Sequence, residues 1–324
     1  MSRNDALLIA ICTYRRPAIA DTLASLARLE PCGLPVRIAV ADNDDVPSAR
    51  AQVEAIAAGH PLPVTYLHAP AANISIARNA LLDHACATGA RLVAWIDDDE
   101  TAEPGWLVAL VAAWRAGQAA PEGPLGAVLG PVRAHYPAGA PAWMDRARAH
   151  DTLPVAGPGG AITSGYTGNT LLDLDDPAVR GLRFEPERGR TGGEDSAFFA
   201  AFLKAGGRIG YAEAALVHET VPEDRARIRW LLKRRYRMGQ THASLIAAER
   251  GPLGRLSAAG LASAKAAACT GIALLGVARA DWRNRQFMRA ALHVGAAARL
   301  AGARRIELYG SPHVAGRPDR LEEH

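Results

Sequence analysis

Two short carboxylate clusters are the residues of this chain best suited to chemistry. An apolar run ends in Asp97-Asp98-Asp99-Glu100, and far downstream Gly192-Gly193-Glu194-Asp195 opens an apolar, Phe-rich segment. A hard divalent cation such as Mg²⁺ or Mn²⁺ takes oxygen ligands and keeps some waters and substrate phosphates, so few protein carboxylates are needed to hold one. Residues two apart in extended chain point the same way, so Asp97 and Asp99 can converge. The second cluster can supply a general base, and near the positive end of a helix dipole its carboxylate would stay ionised. Each cluster also has a plain reading. Acidic strand-to-helix turns are common, and Asp195 or Ser196 can serve simply as a helix cap.

Other polar residues fall at the ends of apolar runs. Thr13 ends the first run and Asp42 the second, where a carboxylate can accept from a base N–H or merely shape a turn. Arg78 lies in the first turns of a helical segment, near the aspartates if strand order is conventional. His218 ends a short apolar run, and a lone histidine is more often structural than a ligand.

The elements that would position these residues alternate. Strands are expected at residues 6–12, 36–41, 64–68 and 92–96, and helices at 17–29, 50–58, 74–88 and 105–116. That rhythm implies βαβ units and a mostly parallel sheet, whose ligands bind outside the carboxyl ends of the strands. Beyond residue 116 the pattern loosens. One strand is expected over 126–135, then a long loop from 137 to 160 of the kind that usually serves function. A strand at 169–174 and a helix at 196–205 follow, with short edge strands at 208–211 and 216–218.

With 324 residues, nearly half of them apolar and many of those alanine, the chain can bury a sizeable core. The net charge of +4 and the pI near 9.0 permit an anionic partner without demanding nucleic acid, and none is expected. Cys12, Cys32, Cys86 and Cys269 form no CxxC pair, which argues against zinc and against a disulfide framework. The N-terminus lacks the length and flanks of a signal peptide, so a cytoplasmic setting is expected.

Taken together and in order, Ile11-Cys12-Thr13-Tyr14-Arg15-Arg16-Pro17, Ala41-Asp42-Asn43, Ala77-Arg78-Asn79, Ile96 to Glu100 with Pro104 and Trp106, Gly168-Asn169, Gly193-Glu194-Asp195 and Val217-His218-Glu219 make the chain resemble a family 2 glycosyltransferase with the GT-A fold. The resemblance covers roughly residues 6–240. It implies an α/β fold with a Rossmann-like, mostly parallel mixed sheet, and an inverting transfer of sugar from a nucleotide-diphosphate sugar, with UDP as the expected carrier. It implies that Thr13, Tyr14 and Arg15 line the nucleotide site, that Asp42 binds the base, and that Arg78 lies by the base and diphosphate. Asp97 and Asp98 would contact the nucleotide or donor sugar. Asp99 would hold Mn²⁺ or Mg²⁺, with Asp97 and His218 as further ligands. Gly168, Asn169 and Gly193 would flank donor sugar and acceptor, and Asp195 would be the base with Glu194 beside it. A nucleotidyltransferase is the rival enzyme class, but it should carry a Gly-rich phosphate loop where this chain has Thr13 to Pro17. A non-catalytic glycan- or membrane-binding module of the same fold is the rival outside enzymology.

The catalytic region is expected over 1–224, with a nucleotide half to about 115 and an acceptor half from 116. The remainder, 225–324, is helical. A basic amphipathic helix at 225–237 precedes a small-residue apolar stretch at 256–278 and an amphipathic helix at 287–300. The apolar stretch is long enough to cross a bilayer, yet its Ala/Gly content and Lys265 favour a packed or interfacial helix. Peripheral attachment to an anionic cytoplasmic surface is expected through 225–305, against the plainer readings of a helical subdomain or an oligomer contact. Acceptors implied by the resemblance are glycans or lipid-linked glycans.

Overall fold

A computed structural model describes residues 4–306 apart from 277, so the far end of the 225–324 region lies outside the described residues. The expected alternation is present. It runs β1 (Asn4–Thr13), α1 (Ile19–Leu26), β2 (Val36–Asp42), α2 (Arg50–Ala57), β3 (Val64–His68), α3 (Ile74–Ala87) and β4 (Ala90–Ile96). Then come β5 (Glu100–Ala102), α4 (Trp106–Gly117), β6 (Ala127–Leu129), β7 (Val132–His135), α5 (Trp143–Arg146), β8 (Val155–Ala156), β9 (Ile162–Ser164) and β10 (Asn169–Asp173). The chain continues through α6 (Glu194–Lys204), β11 (Ile209–Tyr211), β12 (Val217–Thr220), α7 (Ile228–Glu249), α8 (Pro252–Leu275) and α9 (Ala280–Leu300).

Seven strands form the main sheet in the order β11-β6-β10-β4-β1-β2-β3. β1 to β4 pair in parallel, and β10 runs antiparallel between β4 and β6, which makes the sheet mixed. Alternation along β1 explains why a sheet covered on both faces reads as a continuous apolar run. Leu7, Ile9 and Ile11 enter one core with α1 and α4, whereas Leu8 and Ala10 enter the other with α3 and α6. Each fully buried Leu or Ile contributes about 1.5–3 kcal/mol.

Three expectations change. The single strand over 126–135 is two strands in different sheets, because Gly130-Pro131 breaks the run. A second sheet, β5-β12-β7, sits beyond the carboxyl ends of the main strands. β12 is therefore central rather than an edge strand, while β11 does lie at an edge. The long loop after 136 is pinned rather than loose. It contains α5 and the β8–β9 hairpin, and His150 stacks on Trp230 of α7 at 5.3 Å.

Asn169 clamps these pieces together. Its Oδ1 accepts from Trp106 Nε1 at 2.8 Å, and its Nδ2 donates to Pro131 O at 2.9 Å and Ala215 O at 2.7 Å. A Cβ at Gly130 would lie 2.5 Å from Asn169 Nδ2, so the glycine makes room for the clamp. In the C-terminal layer, α9 packs between α7 and α8. Close approach of α7 to α9 needs two facing glycines. A Cβ at Gly239 would sit 1.9 Å from Leu292 O, and one at Gly295 would sit 1.9 Å from Tyr236 O.

Two stability outcomes follow. Asn169→Ala strands the Trp106 donor and two buried carbonyls, each a loss of about 1–3 kcal/mol, and should lower the melting temperature of the ligand-free protein clearly. Gly295→Ala drives a methyl into backbone that cannot move cheaply and should destabilise by about 1–3 kcal/mol in urea unfolding. Unchanged melting in either variant would refute the corresponding contact.

Candidate active site

The parallel register brings the polar strand ends to one edge. Thr13 stands opposite Asp42, and Asp42 opposite His68, while β4 beside β1 delivers Asp97 and the residues after it. Because β10 is antiparallel to β4, with Asn169 opposite Ile96, its first residues meet the aspartates from the other side. A Cβ at Gly168 would lie 2.9 Å from Glu100 Oε1 and 3.3 Å from Asp97 Oδ2, so glycine here lets two carboxylates press against backbone.

The acids that follow β4 are held apart by different partners. Thr13 Oγ1 donates to Asp98 Oδ2 at 2.7 Å. Arg16 pairs with Asp99 and reaches Asp98 at 3.4 Å. Glu100 folds back to accept from the Asp97 backbone N–H at 3.0 Å. Burial pushes the Asp98 carboxyl up to about 6, against the pull of Arg16 and Thr13. Burial and the neighbouring Asp99, Asp98 and Glu219 charges push Asp97 up to about 7, even with Arg78 nearby. Glu100 is raised further by burial and Asp97.

The second cluster forms at the start of α6. Gly193 takes a left-handed conformation at φ 84°, and a Cβ there would strike Thr241 Cγ2 at 2.3 Å, so α7 closes directly over the turn. Arg305 donates to the Gly192 carbonyl, bringing the far end of the C-terminal region to the same turn. Glu194 is buried, pairs with Arg78, and leaves Oε2 without a hydrogen-bond partner. Asp195 is half-buried and accepts from the Ser196 backbone N–H at 2.6 Å. Burial and the Glu194 charge push its carboxyl up to about 6. The Phe-rich face behind it, with Phe184 stacked on Phe198 at 4.4 Å, fixes the helix against the sheet.

Several sequence-expected residues sit otherwise. Asp42 is fully buried and has both oxygens filled, by Asp44 N at 3.1 Å, Ala49 N at 2.8 Å and Tyr66 OH at 2.8 Å. It shapes the loop after β2 and faces no open space. Arg78 is also buried, lying over Phe184 and paired with Glu194, so it joins the two clusters rather than standing on the cleft surface. Burial alone would lower it, but the charges of Glu194, Asp97 and Asp195 hold it above the usual arginine range. Asn169 spends its whole amide on the clamp. His218 points away from the aspartates, with Nε2 at 2.7 Å from Glu103 Oε1 and Nδ1 at 2.7 Å from His135 Nε2. Alternation along β12 turns its neighbour Glu219 toward Asp97 and Asp99 instead, and burial raises that carboxyl. Tyr14 is exposed, and Arg15, at φ 52°, pairs through two hydrogen bonds with Asp44. Arg16, Glu100 and Glu219, which the sequence motifs contain but to which no role was given, also lie among these acids. The period of two along Val217–Thr220 was the one available signal, and it separates Glu219 from His218 only once the facing sheet is known.

The chemical arrangement is thus a cleft edge with acids and Arg16 on one side, an acid of raised pKa on the other, and a buried arginine between them. Comparison with known proteins agrees with it. Residues 8–137 match the model of "Glycosyl transferase family 2". The chain is 46% identical over 307 residues to "Succinoglycan biosynthesis protein ExoM" of Rhizobium meliloti (strain 1021), covering 94% of this chain and 96% of that one. Its fold is similar, at a TM-score of 0.59 and 20% identity, to the mannosyltransferase PcManGT from Pyrobaculum calidifontis, solved in complex with GDP-Man and Mn²⁺, over 91% of this chain and 86% of that one. The chain has the GT-A fold, belongs to glycosyltransferase family 2 and is a glycosyltransferase.

Proposed function

We propose that the protein moves a sugar from a nucleotide-diphosphate sugar, with UDP as carrier, to a hydroxyl of a glycan acceptor during polysaccharide assembly, with inversion at the anomeric carbon. The observation that carries this reading is Asp195. It is half-buried at the mouth of α6, with a carboxyl near pKa 6 that is ionised at neutral pH yet basic enough to take a proton. Its removal of the acceptor proton as that oxygen attacks allows a single displacement. Glu194, neutralised by Arg78, keeps a second acid beside it without doubling the local charge.

The donor side fits a hard divalent cation. Its candidate ligands are all oxygens, and Asp97, Glu100 and Glu219 are carboxylates raised first by burial and then by neighbouring acidic charge, which a cation would offset. Among the described residues no group of three or more His, Cys, Asp or Glu is placed to hold a metal ion by itself. Asp99 and Asp97 would hold Mn²⁺ or Mg²⁺, with Glu219 rather than His218 as the nearby acid. Bound there, the ion supplies neutralisation of charge on the leaving diphosphate. Arg16, freed from Asp99, would turn to the phosphates. Tyr14 and the Arg15–Asp44 pair would flank the nucleoside, and Gly168 would leave space for the sugar. The solved complex of PcManGT with GDP-Man and Mn²⁺ and the succinoglycan role of ExoM support this assignment.

We also place the enzyme on the cytoplasmic face of a membrane, attached peripherally. α8 is the one helix among the described residues long and apolar enough to cross a bilayer. It buries Ala262, Ala266, Cys269 and Ala273 and leaves Leu253, Leu256, Leu261 and Leu275 exposed. Arg255 and Lys265 lie along it and Arg250 just before it, the arrangement of an interfacial helix on anionic lipid.

Asp195→Asn should retain donor affinity by calorimetry with Mn²⁺ present and lose transfer by at least about a hundredfold. Equal loss of both would reduce Asp195 to a helix cap. Because the base acts ionised and its folded pKa is about 6, turnover should hold above that pH and fall about tenfold per unit below it. A profile flat to pH 5 would exclude Asp195 as the base. In flotation, the full chain should rise with vesicles containing phosphatidylglycerol and not with neutral ones, and Leu256→Glu with Leu261→Glu should abolish it; failure to float on acidic vesicles rejects the attachment.

A further inference from the structure

A cavity of about 250 Å³ lies away from the acid clusters, between the loop after α5 and the facing sides of α7 and α9. It is lined by four arginines, Arg148, Arg235, Arg285 and Arg289, and by the apolar Ala147, Ala149, Met288 and Leu292. No acidic side chain lines it. Arg285, Met288, Arg289 and Leu292 share one face of α9 by helical spacing, so the wall alternates charge with apolar surface.

These guanidiniums are not spent elsewhere. Among the described residues, Arg235, Arg285 and Arg289 make no hydrogen bond or ion pair, and Arg148 has only Asp151 at 3.9 Å. Arg235 is half-buried, and burial with the neighbouring Arg234 lowers its pKa. Arg148, Arg285 and Arg289 reach solvent around the opening and Arg235 lies half-buried beside them, so the cavity carries positive charge with no acid to offset it and would attract an anion. Arg148, at φ 47°, closes α5 as the left-handed residue just past its C-cap through the Arg148 N to Asp145 O and Ala149 N to Met144 O hydrogen bonds.

We propose that this cavity binds a phosphate or diphosphate group carrying an apolar tail, the arginines taking the phosphate and Ala147, Ala149, Met288 and Leu292 the first carbons of the tail. Guanidinium forks match phosphate oxygens. The position suits delivery of an acceptor. Arg235 precedes Thr241, the residue packed on the Gly193 turn, by six positions of α7, which is about 9 Å along the helix.

The site does not rest on the transfer reaction, and its test is binding. Full-length protein would be titrated calorimetrically with farnesyl phosphate below its aggregation threshold, with inorganic pyrophosphate, and with farnesol. Farnesyl phosphate should bind, and Arg235→Gln and Arg289→Ala should each weaken it roughly tenfold or more, the loss of one charge-assisted contact. Asp195→Asn should bind it unchanged, which separates this site from the catalytic reading. Removing an unpaired charge should leave the melting temperature of Arg235→Gln at or above that of the parent, so loss of binding there is not loss of fold. Pyrophosphate binding equally well, with the same sensitivity to both variants, would show a bare phosphate site and overturn the assignment of the apolar wall to a tail. Affinity for farnesyl phosphate that is absent, equal in both variants, or matched by farnesol overturns the proposal.

Discussion

The buried pairing of Arg78 with Glu194 ties the whole site together. α3 supplies the guanidinium and α6 the carboxylate, both almost wholly removed from water, and the Phe184 ring lies beneath. Asp97 and Asp195 stand close enough for their charges to act on the same arginine. Breaking such a buried pair typically costs about 3–5 kcal/mol, because the survivor keeps an uncompensated charge. One cation thus allows acids from β4 and α6 to approach one another. Without it, Asp97, Glu194 and Asp195 would be like charges in a poorly solvated space.

The helical layer after β12 packs directly on the turn that opens α6. The Gly192-Gly193 turn that presents Asp195 is covered by Thr241 of α7 and held by Arg305 from beyond α9. Gly239 and Gly295 let α7 and α9 lie with backbones nearly touching, and α7 in turn rests on the Gly193 turn through Thr241. The same layer carries the exposed apolar face of α8 and the arginine-lined cavity. Membrane attachment, acceptor capture and base positioning would then share one structural unit.

Much of the site was legible as local pattern. The alternating apolar runs located β1 to β4, and the acids after them fell at strand ends because parallel sheets gather those ends along one edge. Gly193 was legible as a backbone that must turn tightly, and it does so at φ 84° beneath Thr241. Where the surroundings of a motif residue differ from the expectation, the cause is shared. Asp42, Asn169 and His218 are polar residues at motif positions, and sequence cannot tell a side chain that faces the cleft from one that holds the wall. Asp42 spends its oxygens on Tyr66 and two backbone N–H groups, and Asn169 spends its amide on three partners distant in sequence. His218 and Glu219 differ by one residue, and only the pairing of β12 with β5 and β7 decides which faces the acids.

By itself the sequence determined the parallel half of the sheet, the two acid clusters and their order, and the basic, apolar and amphipathic succession of the last third. Those features depend on periodicity and composition, which act over a few residues. The tertiary structure decided that Gly130-Pro131 splits a run between two sheets, that Arg78 bridges the clusters, that Arg16 and Glu219 join the donor side, and that four arginines from three segments line one cavity. Each of these depends on contacts between residues far apart in the chain, whose geometry only packing of the finished layers can set.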